Sequence, residues 1–333
     1  MVRYDKSTAD QGRKYVNDQR RSGAGGGSGS SGGRSGRGAA LGGGGLMAVI
    51  IAVIVALLGG RGGNSANVTE SGSATDAGTS SGQIDITVPG FGADGPADPV
   101  STDGAVEVVD PEADTVEYLQ FLMYDIQDTW ARYFDQAGLT YRETSLTIFT
   151  DSVETGCGPA TSAVGPFYCP APNDQTVYID LEFFDELASP RFGAAGDFAQ
   201  AYVVAHEVGH HVQNVAGISD AVRQAQAQSP NLANEYSVRL ELQADCFAGV
   251  WAHSANQRVT ADSGQPILEE GDIEEGLAAA SSVGDDRLQA QAGMQVDPES
   301  WTHGSSEQRV NWFTTGFRTG DPEQCDVFAS QNP

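Results

Sequence analysis

The chain has 333 residues, 42 of them Gly, and a formal charge of −27 at pH 7. The charge is divided: up to residue 60 eight Lys/Arg face three Asp/Glu, whereas from residue 62 nine Arg face 42 Asp/Glu. An acidic surface of that size repels phosphate backbones and argues against nucleic acid as a partner.

In chain order, residues 1–37 carry the basic charge and are expected to form a disordered cytoplasmic segment, and residues 23–45 are Gly/Ser/Arg-rich, a composition expected to be disordered. No charge occurs between Arg37 and Arg61, a stretch of 23 residues. As a helix, residues 38–60 would be roughly 35 Å long, enough to cross a bilayer. The apolar centre, Leu46 to Leu58, is by itself the length of a signal-peptide core. The Gly-Gly-Arg-Gly-Gly flank is not a cleavage site of the usual kind, which favours an uncleaved anchor. Basic residues on its N-terminal side would place the N-terminus in the cytoplasm and the acidic part outside. Residues 61–113 have few large apolar side chains and read as an extracytoplasmic linker. Asn67-Val68-Thr69 is a glycosylation sequon by pattern alone, which chance explains equally well in a Thr-rich stretch. The globular part is residues 114–330.

Within it, Leu119, Leu122, Met123, Ile126, Trp130 and Phe134 recur at helical spacing and predict an amphipathic helix over 114–137. Ser145 to Thr150 and Gln175 to Leu181 are short, β-branched and aromatic, and predict strands. Long helices are expected over 196–215 and 231–257, one or two more over 265–292, and another over 305–317. The fold class is α+β: a mainly helical domain with a small sheet.

The 196–215 helix contains His206-Glu207-Val208-Gly209-His210. Positions i and i+4 share a helix face, so both imidazoles can hold one Zn²⁺, and Glu207, turned about 100° away, can reach a metal-bound water as general base. Three of the five His in the chain cluster at 206, 210 and 211, which argues against accident. His211 points away from the other two and is expected to be packed or at the surface. A catalytic zinc needs a third protein ligand. Glu241 on the next long helix is the candidate, with Asp245 one turn later accepting the other ring N–H of a ligand His. A solvated acidic face is the competing explanation, but Leu240, Ala244, Cys246 and Phe247 surround the pair.

These residues resemble the gluzincin metallopeptidases, especially those related to the CAAX prenyl endopeptidases, whose E-x-Q-A-D-x-F-A segment is close to Glu241-Leu-Gln-Ala-Asp245-Cys-Phe-Ala248. Gly165-Pro166-Phe167-Tyr168 followed by Thr176 to Asp180 looks like the edge strand beside their active-site helix, and His303-x5-Arg309 like their C-terminal His…Arg pair. As a whole, residues 114–330 are similar to the putative neutral zinc metallopeptidase family of bacterial membrane-anchored proteins.

The resemblance implies a zincin-like, membrane-anchored, extracytoplasmic endopeptidase acting on a peptide or protein substrate. Zn²⁺ would sit on His206, His210 and Glu241, with a zinc-activated water and Glu207 as base. Substrate would add as a strand along Pro166, Phe167 and Tyr168, or along Val177 to Asp180. His303 would donate to the oxyanion, and Arg309 would orient it or pair with an acidic neighbour of the ligands. The competing explanation for this last segment is an ordinary helix N-cap within Thr302 to Ser306, with Arg309 in a surface ion pair. The alternative function is an idle peptidase-like binding or scaffold module, against which stands the retention of all four of His206, Glu207, His210 and Glu241.

Four cysteines allow three pairings. Cys157–Cys169 would close a short Gly/Pro-rich loop, and Cys246–Cys325 would pin the C-terminal tail to the Glu241 helix. No C-x2-C pair exists to make a thiolate zinc site.

Overall fold

The computed structural model describes residues 1–20, 110 and 112–330. In chain order the first elements are α1 (Lys6–Gly12), β1 (Val16–Asp18), α2 (Ala113–Gln136), β2 (Ser145–Phe149), β3 (Ser152–Thr155), β4 (Gly158–Thr161), β5 (Phe167–Cys169) and β6 (Thr176–Asp180). Helices follow: α3 (Glu182–Ala188), α4 (Asp197–Val215), α5 (Ile218–Gln228), α6 (Ala233–Asn256), α7 (Asp272–Ser282), α8 (Asp285–Gln291) and α9 (Ser306–Thr319). One sheet has the order β1-β2-β6-β5, parallel except for β5, and β3 pairs with β4 in a separate hairpin. The domain is thus mainly helical with a small sheet.

The expected stripe of α2 is buried at every position from Leu119 to Phe134. Asp125 shares that face because it is paired, accepting from Trp251 Nε1 at 2.8 Å and Arg258 Nη2 at 2.7 Å. Strand β6 is buried along its whole length, as a parallel strand covered on both faces must be. Both expected disulfides are present, Cys157–Cys169 beside the hairpin and Cys246–Cys325 between α6 and the C-terminal segment.

Two close helix crossings position the functional side chains. At the first, α4 meets α6 where a Cβ on Gly209 would come within 3.1 Å of the Ala244 carbonyl oxygen. At the second, Gly249 of α6 faces the backbone of Phe313 and Phe317, and Gly316 of α9 faces the Cys246 carbonyl, with no room for a side chain on either glycine. Backbone approaching backbone in this way brings α4, α6 and α9 near enough for short polar side chains to meet across them.

Residues 1–20 depart from expectation. Read from composition as part of a disordered cytoplasmic segment, they instead form α1 and β1 and belong to one compact unit with residues 112–330. Val2, Ala9 and Tyr15 enter the main core, and β1 pairs with β2, Val16 opposite Leu146. A segment sharing a hydrophobic core with the domain cannot lie across a bilayer from it, so the expected topology is corrected. The expected span, 38–60, and most of the expected linker, 61–113, lie outside the described residues. Among the described residues no helix is long and apolar enough to cross a membrane. The transmembrane helix, the single-pass localisation and the bilayer as a partner are therefore withdrawn.

The α6–α9 crossing gives a direct test. Gly316→Ala drives a methyl into the Cys246 carbonyl and should cost about 1–3 kcal/mol through overpacking. Urea denaturation measures this, and an unchanged midpoint would show that the two backbones do not touch.

Candidate metal centre

His206 and His210 stand one turn apart on α4, and Glu241 faces them from α6. His206 Nε2 is 3.3 Å from Glu241 Oε2, and His210 Nε2 is 3.4 Å from Glu241 Oε1. One donor atom from each of the three residues lies within 4.8 Å of the others, and all three side chains are buried. Two imidazole nitrogens and a carboxylate oxygen converging on one point form a donor set that suits zinc and leaves a position for water or substrate. The three residues singled out in the sequence are brought together.

Behind His206 stands Asp245, wholly buried, with Oδ1 2.8 Å from His206 Nδ1. Arg309 donates to both its oxygens, Nε to Oδ2 at 2.8 Å and Nη2 to Oδ1 at 2.9 Å, and the Tyr202 hydroxyl donates to Oδ1. Arg309 thus pairs with the acidic neighbour of the ligands, the second of its two expected roles, and is not in a surface ion pair. Burial by itself would raise the Asp245 pKa, but Arg309 and His206 together outweigh it and lower the value. Burial likewise opposes a charge on His206, yet Asp245 and Glu241 push its pKa up to about 10. The pocket therefore favours positive charge at the His206 ring, which is what a bound cation supplies.

Glu207 is buried beside the ligands and has no hydrogen-bond partner among the described residues. Burial raises its pKa. His303 is also buried, with Nδ1 3.2 Å from Asp285 Oδ1. Asp285 Oδ2 accepts the backbone N–H groups of Thr302, His303 and Gly304 at 2.8, 2.7 and 3.1 Å, so this carboxylate fixes the whole loop. Burial opposes a charge on His303, but Asp285 and the Glu241 charge together raise its pKa. The helix N-cap expected within Thr302 to Ser306 is also present, at Ser305, in a capping box with Gln308.

Phe167, at the start of the outer strand β5, and Pro166 just before it are half-buried, but the Tyr168 side chain turns inward and can offer substrate only its backbone. Its hydroxyl is 2.9 Å from His211 Nδ1. The other His211 nitrogen, Nε2, donates to the Arg142 carbonyl at 2.6 Å, so Nδ1 accepts from Tyr168. Burial lowers the His211 pKa to about 4, so this ring is a neutral packing element. Sequence reasoning missed Tyr202, one turn before His206 on α4, and Asp285, which reaches the site from α8.

Residues 7–328 match the family described as putative neutral zinc metallopeptidase. The chain belongs to this family. Zn²⁺ is accordingly its cofactor, and a peptide or protein its class of substrate. The chain is 48% identical over 232 residues to the Uncharacterized protein YpfJ of Escherichia coli (strain K12), covering 69% of this chain and 77% of that one. It is 49% identical over 193 residues to the Uncharacterized protein Rv2575 of Mycobacterium tuberculosis (strain ATCC 25618 / H37Rv), covering 57% and 64% respectively. No solved structure matches.

Removing Arg309 leaves a buried, unpaired Asp245. Arg309→Met should therefore destabilise the fold by about 3–5 kcal/mol, and Arg309→Lys, which keeps the charge without the planar fork, by less. Chemical denaturation of the three proteins gives the order; equal stability of Arg309→Met and wild type would contradict the pairing.

Proposed function

We propose that this chain is a zinc-dependent endopeptidase whose metal is held by His206, His210 and Glu241 and whose general base is Glu207. The observation that carries the proposal is the uncommitted Glu207 carboxylate buried beside three converging ligands. A carboxylate in that position costs desolvation energy and gives the fold nothing in return. Placed beside a hydrolytic centre, it has a use.

Bound zinc supplies a Lewis acid for the scissile carbonyl and lowers the pKa of the attacking water. The remaining work falls to the protein. Glu207 accepts the proton from that water and passes it to the leaving amine. His303, its Nδ1 side held by Asp285, has Nε2 left to donate to the oxyanion of the tetrahedral intermediate. Arg309, Tyr202 and Asp245 keep the His206 ring fixed, so the donor set is in place before substrate arrives. Among the described residues strand β5 is paired only with β6, Phe167 opposite Tyr178, and its other edge is the one an extended peptide would take. Main-chain hydrogen bonds along that edge would hold substrate with limited dependence on its side chains.

Three sets of variants separate these roles. His206→Ala, His210→Ala and Glu241→Ala should each lose zinc, measured as metal per chain after dialysis; full occupancy in all three would refute the ligand assignment. Glu207→Gln should retain zinc and lose cleavage of a mixed peptide library, and wild-type turnover in that variant would mean another group is the base. His303→Ala should keep zinc and lower kcat by roughly a hundredfold. An unchanged kcat would remove His303 from the reaction.

A further inference from the structure

The two ligand histidines are held in different ways. His206 is backed by a carboxylate, whereas His210 Nδ1 lies 3.0 Å from the side-chain oxygen of a neutral residue, Gln213. The orientation of that amide decides the imidazole tautomer. An oxygen facing Nδ1 requires a proton there and leaves a lone pair on Nε2, where a metal can use it; an NH₂ group would require the reverse.

The orientation is fixed from outside. Gln213 Nε2 is 2.7 Å from the Leu240 carbonyl oxygen and 3.1 Å from Gln243 Oε1. A carbonyl can only accept, so the NH₂ group faces Leu240 and Oε1 is turned to His210. Gln243 is fixed in the same way, because its Nε2 donates to the Cys325 carbonyl at 3.0 Å and its Oε1 is left for Gln213. Both amides are buried, so water does not compete for these bonds. The terminal carbonyl is itself anchored, since Cys325 is bonded to Cys246 on α6.

We propose that Gln213 and Gln243 are positioning residues for the metal: a two-amide relay, set by the Leu240 and Cys325 carbonyls, that keeps the proton on His210 Nδ1 and the Nε2 lone pair facing the centre. The relay rests on the reading of His206, His210 and Glu241 as zinc ligands. It gives the Cys246–Cys325 disulfide a role at the site, because the tethered segment carries the carbonyl that orients Gln243. It also orients a ligand histidine without placing another buried negative charge beside Glu207, Glu241 and Asp245.

The test is zinc affinity of the full chain, measured by competition with a chromophoric chelator, for wild type, Gln213→Leu, Gln243→Leu and the double variant. Thermal melts of the zinc-free proteins check folding. Each single variant should bind zinc about ten- to a hundredfold more weakly. The double variant should be no weaker than Gln213→Leu alone, because the two residues act in one series. Wild-type affinity in Gln243→Leu, whose native side chain hydrogen-bonds to Gln213 and the Cys325 carbonyl and to no ligand among the described residues, would overturn the relay, as would penalties that multiply. Wild-type protein that takes up no zinc would instead defeat the ligand reading. Should a leucine variant not fold, the zinc-loaded wild type decides by nuclear magnetic resonance. A slowly exchanging His210 Nδ1 proton is expected, and its absence would overturn the proposal.

Discussion

A buried carboxylate holds this structure together at its centre. Asp245 is wholly buried yet carries charge, and its oxygens are met by Arg309 from α9, by Tyr202 and His206 from α4, and by no solvent. Removing such a charge from water costs several kcal/mol, and only a well-placed cation and hydrogen bonds can offset it. The close crossings at Gly209 and at Gly249 and Gly316 bring three helices near enough for those bonds to form. The same contacts that satisfy Asp245 orient His206, so the requirement for stability and the requirement for metal binding fall on one group.

Around that point the site is asymmetric. The His206 side is charged and the His210 side neutral, with Glu241 between them and His303 held by its own carboxylate on α8. Each of the three histidines has Nδ1 committed to the protein, and Glu241 turns its two oxygens to the two ligand rings. Glu207 is the exception, committed to nothing among the described residues. A rigid set of ligands with one uncommitted carboxylate is the arrangement a hydrolytic centre needs: geometry fixed in advance and one group free to move a proton.

How much of this was legible in the sequence depends on the distance between the residues involved. The four-residue spacings of His206 with His210 and of Glu241 with Asp245 are local, and helical geometry alone places each pair on one face. The apolar stripe of α2 is legible for the same reason. The partnership of Asp285 with His303 spans 18 residues and two elements, and that of Gln243 with the Cys325 carbonyl spans 82, so no periodicity announces either. The first 20 residues misled because their apolar positions, Val2, Tyr4, Ala9, Tyr15 and Val16, are scattered among charges. Composition reads such a segment as solvated, whereas parallel pairing of β1 with β2 supplies the order it lacks alone. The basic charge and the uncharged stretch after it invited a topology that this pairing contradicts.

The most direct measurement is anomalous diffraction at the zinc absorption edge from crystals of the full chain grown with zinc. The account predicts one strong peak bounded by His206 Nε2, His210 Nε2 and a Glu241 oxygen, with the Glu207 carboxylate near it but not bonded to it. A peak at the other carboxylate cluster, formed by Asp197, Asp272 and Glu275, with none between the two histidines would contradict it.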